Sequence, residues 1–104
     1  MQEERYLPRI VALITHLRRP EGPSRLARIV QQVIPDYQDR AQIEVIETTV
    51  TELRDTGRAL EDRQNIDVII CSGATADYLR RHVAISTLAI RMGEYDLIRA
   101  LDLA

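Results

Sequence analysis

"VIICSGATADYLR", residues 68–80, is the stretch on which the fold turns. Val68-Ile69-Ile70 is a short β-branched run, the composition of a strand buried on both faces. It passes at once into a tight polar turn, Cys71-Ser72-Gly73-Ala74-Thr75, and then into a helical pattern. We read a strand over 67–71 and a helix from Ala74 to about Arg81. A buried strand delivering straight into a helix is half of a β-α-β unit, which makes the sheet parallel. The small hydroxyl residues of the turn allow two readings. They cap the helix, or they meet something small and polar that docks there.

The same unit recurs on either side. Upstream, Pro8-Arg9-Ile10-Val11-Ala12-Leu13-Ile14 is another continuous apolar run and predicts a first buried strand. Thr15 to Pro23 reads as a loop, punctuated by Pro20, Gly22 and Pro23. Ser24 is placed to cap a helix running to about Ile34, with Leu26, Ile29, Val30 and Val33 on one face and Pro35-Asp36 ending it. Ala41 to Thr48 alternates, with Ile43 and Val45 against Glu44 and Glu47, as a half-buried edge strand does. Thr49-Val50-Thr51-Glu52 fits a capping box. The helix it opens carries Val50, Leu53 and Leu60 on one side, with Gly57 where close packing is needed and Asn65 near the end. Downstream, Ile85 to Arg91 predicts a fourth strand. Gly93 to Ala104 predicts a last helix with Tyr95, Ile98 and Leu101 inward.

The order βαβαβαβα with right-handed crossovers specifies an α/β fold. The expected form is three-layered, a four-stranded parallel sheet in the order 2-1-3-4, half of a flavodoxin-like sheet. The 104 residues make one domain without repeats, low-complexity tracts or a linker. Phe and Trp are absent, so the core must be aliphatic. The sequence stops directly after the last helix, as a trimmed or partial chain would.

Composition narrows the function. A net charge of −2 argues against a nucleic-acid-binding surface, although all 14 basic residues are arginine. Scattered arginine reflects base composition, or it offers forks for carboxylate and phosphate. One cysteine, Cys71, excludes an internal disulfide and suits a reducing compartment. No apolar run is long enough to cross a bilayer, and Met1-Gln2-Glu3-Glu4-Arg5 has no signal-peptide character. The expectation is a cytoplasmic protein without membrane contact.

In open α/β sheets ligands bind at the carboxyl ends of the strands, where the strand order reverses. Here that point lies between the first and third strands. It is bordered by Thr15-His16-Leu17-Arg18-Arg19 and by Ser72-Gly73-Ala74-Thr75. The helix after Gly73 offers free N–H groups and a favourable dipole to an anion, and Ser72 and Thr75 add hydroxyls. His16 is a ligand group or a plain loop histidine. Arg91, ending the fourth strand, is a partner for an acid or a solvated charge. The candidate ligand set is therefore Thr15, His16, Ser72, Gly73, Ala74, Thr75 and Arg91. Arg18, Arg19, His82 and Tyr95 read as solvated or packing residues. There is no Walker A sequence, no GxGxxG, no Cys/His cluster with metal spacing and no acidic cluster of a phospho-receiver. No metal, cofactor or catalytic residue is expected.

"IDVIICSGATADYLRRHVAISTLAIRMGEYDLIRAL", residues 66–101, resembles the N-terminal domain of propionate catabolism activators, sigma-54-dependent bacterial transcription regulators. Ser72-Gly73-Ala74-Thr75-Ala76 matches that family's strand-end turn, and Tyr95-Asp96-Leu97 its segment after the fourth strand. "AQIEVIETTVTEL", residues 41–53, resembles its second strand and following helix. The likeness extends over nearly the whole chain, with its specific motifs in the last 40 or so residues. Ala74 stands where the family has a second glycine, Ile85-Ser86-Thr87 where it has Ile-Pro-Val, and Gly93-Glu94 where it has Ser-Gly. The resemblance implies an effector-sensing domain, of which this chain is the first of two lobes. It also implies a small carboxylic acid such as 2-methylcitrate as effector.

Two other readings compete. Cys71 stands where aspartate/glutamate-type racemases carry a catalytic cysteine, although those enzymes use two thiols. A sheet cut after its fourth strand also leaves an open edge, which favours a homo-oligomer and a pure association module.

Overall fold

A computed structural model describes residues 6–90. The strands are β1 (Arg9–His16), β2 (Gln42–Thr49), β3 (Val68–Ser72) and β4 (Thr87–Ile90). The helices are α1 (Arg25–Val33), α2 (Leu53–Arg63) and α3 (Gly73–His82). All strand pairings are parallel and the order is β2-β1-β3-β4, as the alternation of patterns requires. The expected last helix, together with Arg91, lies outside the described residues.

The chain moves one way across the sheet from β1 to β2, then back past β1 to β3. Right-handed crossovers therefore put α1 on one face and α2 and α3 on the other. The core divides accordingly. Ile10, Ala12 and Ile70 meet Val30 of α1 and the buried Tyr37. Val11, Leu13, Ile69 and Cys71 meet Leu53, Leu60, Ala76 and Leu79 from α2 and α3. The two apolar runs are thus continuous because each strand feeds both layers. Full burial of a side chain such as Ile69 or Ile70 contributes about 1.5–3 kcal/mol.

Several boundaries differ from the sequence reading, each for a local reason. β1 runs on through Thr15 and His16, which the sequence pattern assigns to the loop, because both pair in register with Thr48 and Thr49 of β2. α1 ends before Pro35 as expected, but the chain does not straighten there. Ile34–Tyr37 continues as a 3-10 turn, where proline near the start needs no amide partner, and this swings Tyr37 into the core. Val50, expected inward, is 57% exposed. Residues 50–52 form a turn before α2 begins, so the buried stripe is Leu53, Gly57 and Leu60. Half of the capping box forms: the Glu52 amide donates to Thr49 Oγ1, while the Glu52 carboxylate pairs with Arg19. α2 ends close to Asn65 as expected, and Gln64 takes the left-handed conformation that stops it. β4 starts at Thr87, two residues later than expected. Ser86 precedes it and accepts from the Ile69 amide at 2.9 Å, and Ile85 packs on the α2–α3 side of the core.

Candidate functional site

β1 pairs with β3 over Ile10–Ala12 only, so its last residues stand beside the β3–α3 turn. Ser72 ends β3 in an extended conformation, and its side chain caps α3 by accepting the Thr75 amide at 3.4 Å. Gly73 and Ala74 form the first turn of the helix and are exposed. The Ser72 hydroxyl donates to Thr75 Oγ1 at 3.0 Å, and Thr75 Oγ1 donates to Thr15 Oγ1 at 3.1 Å. Three of the expected site residues are therefore joined in one hydroxyl chain across the reversal point of the sheet. Thr75 is buried, and no buried side-chain polar atom among the described residues lacks a partner. The capping reading and the docking reading are both compatible with this turn. The hydroxyls satisfy each other, and the exposed amide end of the helix faces outward above them.

Gly73 carries further information. A Cβ there would meet none of the other described residues within 4 Å, and its φ is not in the positive region. Neither packing nor backbone conformation calls for glycine at this position. Among the described residues nothing crowds the Gly73 Cβ position on the first turn of α3.

His16 belongs to a different cluster. Its Nε2 lies 2.8 Å from Glu47 Oε1, across from the end of β1 on β2. Glu47 also accepts from the backbone amide of Ser24 at 3.3–3.4 Å, and the Ser24 hydroxyl in turn caps α1 by accepting from Ala27 N at 3.1 Å. Burial works to raise the pKa of Glu47. Hydrogen bonds from Ser24 and His16 outweigh it and hold the carboxyl below its ordinary value. A second carboxylate, Glu52, pairs with Arg19 in the same loop. Both ends of the β1–α1 loop are thus tied to the strand and turn of the β2 side. In the sequence Glu47 is an outward strand residue and Glu52 a capping-box residue. Only the β1–β2 register brings them to this loop.

Cys71 faces the α2–α3 core and is fully enclosed. Burial pushes its thiol up to about 11, against a smaller lowering by Arg80. A reactive thiolate needs the opposite shift and an accessible sulfur. Two clefts, of about 410 and 440 Å3, lie away from Ser72 and Thr75. The first opens where β1 and β2 begin and is lined by Arg63 and Glu44, which already pair with each other at 3.0 Å. The second lies between α1 and β2, with Glu47 in its wall. Among the described residues no three His, Cys, Asp or Glu side chains gather as a metal centre would. No helix of these residues is long and apolar enough to cross a membrane.

A family model described as propionate catabolism activator matches residues 37–104, more than half of the chain. The chain belongs to the propionate catabolism activator family. The matched region contains β2, β3, α3 and β4, and so the Ser72–Thr75 turn; β1 and α1, with Thr15 and His16, precede it. Within this propionate catabolism activator chain the hydroxyl chain thus joins a residue outside the matched region to two within it. No curated protein and no solved structure matches the sequence.

Proposed function

We propose that this chain is the signal-reception domain of a sigma-54-dependent transcriptional activator of propionate catabolism. It is the first lobe of a two-lobed sensor, cytoplasmic and not an enzyme. It takes a small carboxylic acid, 2-methylcitrate or a close relative, at the carboxyl ends of the parallel strands. Thr15, His16, Ser72, Gly73, Ala74, Thr75 and Arg91 supply the contacts. The observation that carries this reading is the space beside Gly73, which no other described residue fills, at the exposed start of α3, within the segment that matches the activator family. An anion carboxylate there meets free amides and the positive end of the helix. The enclosed, raised thiol of Cys71 weighs against a racemase-like alternative.

A thermal-shift titration with small di- and tricarboxylates, citrate and 2-methylcitrate included, tests it. A ligand bound only by the folded state raises the melting temperature with concentration. The expected result is a saturable rise that Gly73→Ala weakens, because its new methyl fills the space the acid needs. No shift with any acid overturns the reading and leaves association between copies of the chain as the function of this lobe.

A further inference from the structure

On one side the sheet ends in β2, which among the described residues pairs with β1 alone. The Gln42 amide donates to the Pro8 carbonyl at 2.8 Å, and the Val50 amide to the His16 carbonyl at 3.0 Å. Between these bonds a parallel ladder alternates. Gln42, Glu44, Ile46 and Thr48 therefore turn their backbone groups toward β1, and Ile43, Val45 and Glu47 turn theirs outward. No described residue bonds to those outward amides and carbonyls. The opposite edge, β4, is half as long.

Edge strands are commonly guarded by proline, a bulge or a protruding charge. Gln42–Thr49 contains no proline, and its register with β1 is unbroken over all eight residues, so it has no bulge. Both of its carboxylates are held by the chain's own groups. Glu44 makes a bidentate pair with Arg63 at 3.0 and 3.1 Å, and Glu47 takes His16 and the Ser24 amide. The two clefts border this strand, one lined by Glu44, Arg63 and Ile66, the other by Ala27, Gln31 and Val45. An added strand alternates its side chains between the two faces and so meets both clefts.

We propose that the free edge of β2 is an association surface for a second copy of this chain, the two β2 strands pairing antiparallel about a two-fold axis at Val45. Two-fold symmetry between edge strands makes the pair antiparallel, the more stable ladder per residue. With Val45 opposite itself, Ile43 of one copy lies opposite Glu47 of the other. Each outward amide then donates to an outward carbonyl, and none is left over. On the other face Glu44 lies opposite Ile46. Registers centred on Glu44 or on Glu47 set like carboxylates face to face, which is unfavourable. The strand is thus complementary to itself in hydrogen bonds and in charge, as an isologous interface requires. The Ser72–Thr75 turn is two strands away from this junction, so the proposal is independent of the carboxylate reading.

Hydrogen exchange of the whole chain, read amide by amide by NMR over a concentration series into the millimolar range, tests this alongside sedimentation equilibrium. The expected result is a dimer whose formation protects the Ile43, Val45 and Glu47 amides in step with the dimer fraction. Glu44 and Ile46 should be protected by β1 at every concentration. A chain that stays monomeric overturns the proposal. A dimer that leaves Ile43, Val45 and Glu47 exchanging freely does so too, because its contact lies elsewhere. Equal protection at every concentration also overturns it, because the chain then covers this edge itself. Val45→Pro removes one outward amide and spares the β1 ladder, as proline on an edge strand does. It should weaken dimerisation more than about tenfold, through loss of the central hydrogen bonds, with circular dichroism unchanged. Unaltered dimerisation of the folded variant counts against the two-fold at Val45. If the variant does not fold, the exchange pattern of the unaltered chain decides.

Discussion

Thr75 Oγ1 donates to Thr15 Oγ1 at 3.1 Å, joining the first turn of α3 to the end of β1 across 60 residues of sequence. Neither hydroxyl has a local reason to face the other. The parallel β1–β3 pairing brings them together, and the Ser72 cap completes the chain. Ser72 and Thr75 of this turn are tied into the fold, while Gly73 and Ala74 are exposed.

Ser72→Ala and Gly73→Ala separate them. Ser72→Ala removes a helix cap and should cost about 0.5–1 kcal/mol, the low side of the usual range because the capping contact is long. For a domain of this size that is a fall of roughly 2–8 °C in melting temperature. Gly73→Ala meets open space and should leave stability within about 0.5 kcal/mol. Thermal denaturation of both variants without ligand checks the contrast. Equal losses would mean that the turn is tighter than its geometry shows.

Gly57→Ala is expected to destabilise, although alanine is the better helix former by about 1 kcal/mol. Its methyl would stand 2.9 Å from Leu79 Cδ2 and 3.3 Å from Val83 Cγ1. Leu79 of α3 is wholly buried, so its end yields only by displacing packed neighbours. Overpacking of this kind costs about 1–3 kcal/mol. Chemical denaturation should show a net loss of roughly 1 kcal/mol. A double-mutant cycle with Leu79→Ala should show strong coupling, since the smaller residue makes room for the methyl.

Cys71 should resist a mild thiol reagent in the native state and react readily once the chain is unfolded. Its sulfur is enclosed, and its pKa, pushed up to about 11, leaves little thiolate near neutral pH. Labelling followed by mass spectrometry, with and without denaturant, gives the ratio. Rapid native labelling would revive the enzymatic reading.

Acid should weaken the fold through Glu47 and Asp67. In Glu47 burial raises the pKa, but Ser24 and His16 outweigh it; in Asp67 the Tyr6 hydroxyl and the Arg9 amide lower it. A carboxyl depressed by folding binds its proton more tightly when unfolded. Its stabilisation is complete above the unfolded value of about 4 and is lost as pH falls through the lower folded value. Urea midpoints should therefore hold from neutrality to about pH 5 and drop below that. The drop should be shallower in Glu47→Gln and in Asp67→Asn.

The sheet is legible in the sequence. Two continuous apolar runs, Ile10–Ile14 and Val68–Ile70, can only be strands buried on both faces. Alternation with helical periods then leaves a parallel sheet, and crossover handedness limits its order. The Ser24 and Ser72 caps are legible too, because a capping hydroxyl acts on amides two or three residues away. Val50 departs from the inward position its spacing suggests, because a turn of three residues shifts the phase of α2.

Sequence by itself determined the βαβ order, the aliphatic two-sided core and the small polar turn after the third strand. These are set by side-chain type and period, which are local properties. Tertiary structure alone decided that Thr15 would meet Thr75, that Glu47 would hold both His16 and the start of α1, and that Cys71 would turn into the core. Those depend on strand register. A shift of one residue carries each side chain to the opposite face of the sheet, and no stretch of the sequence encodes its partner's register.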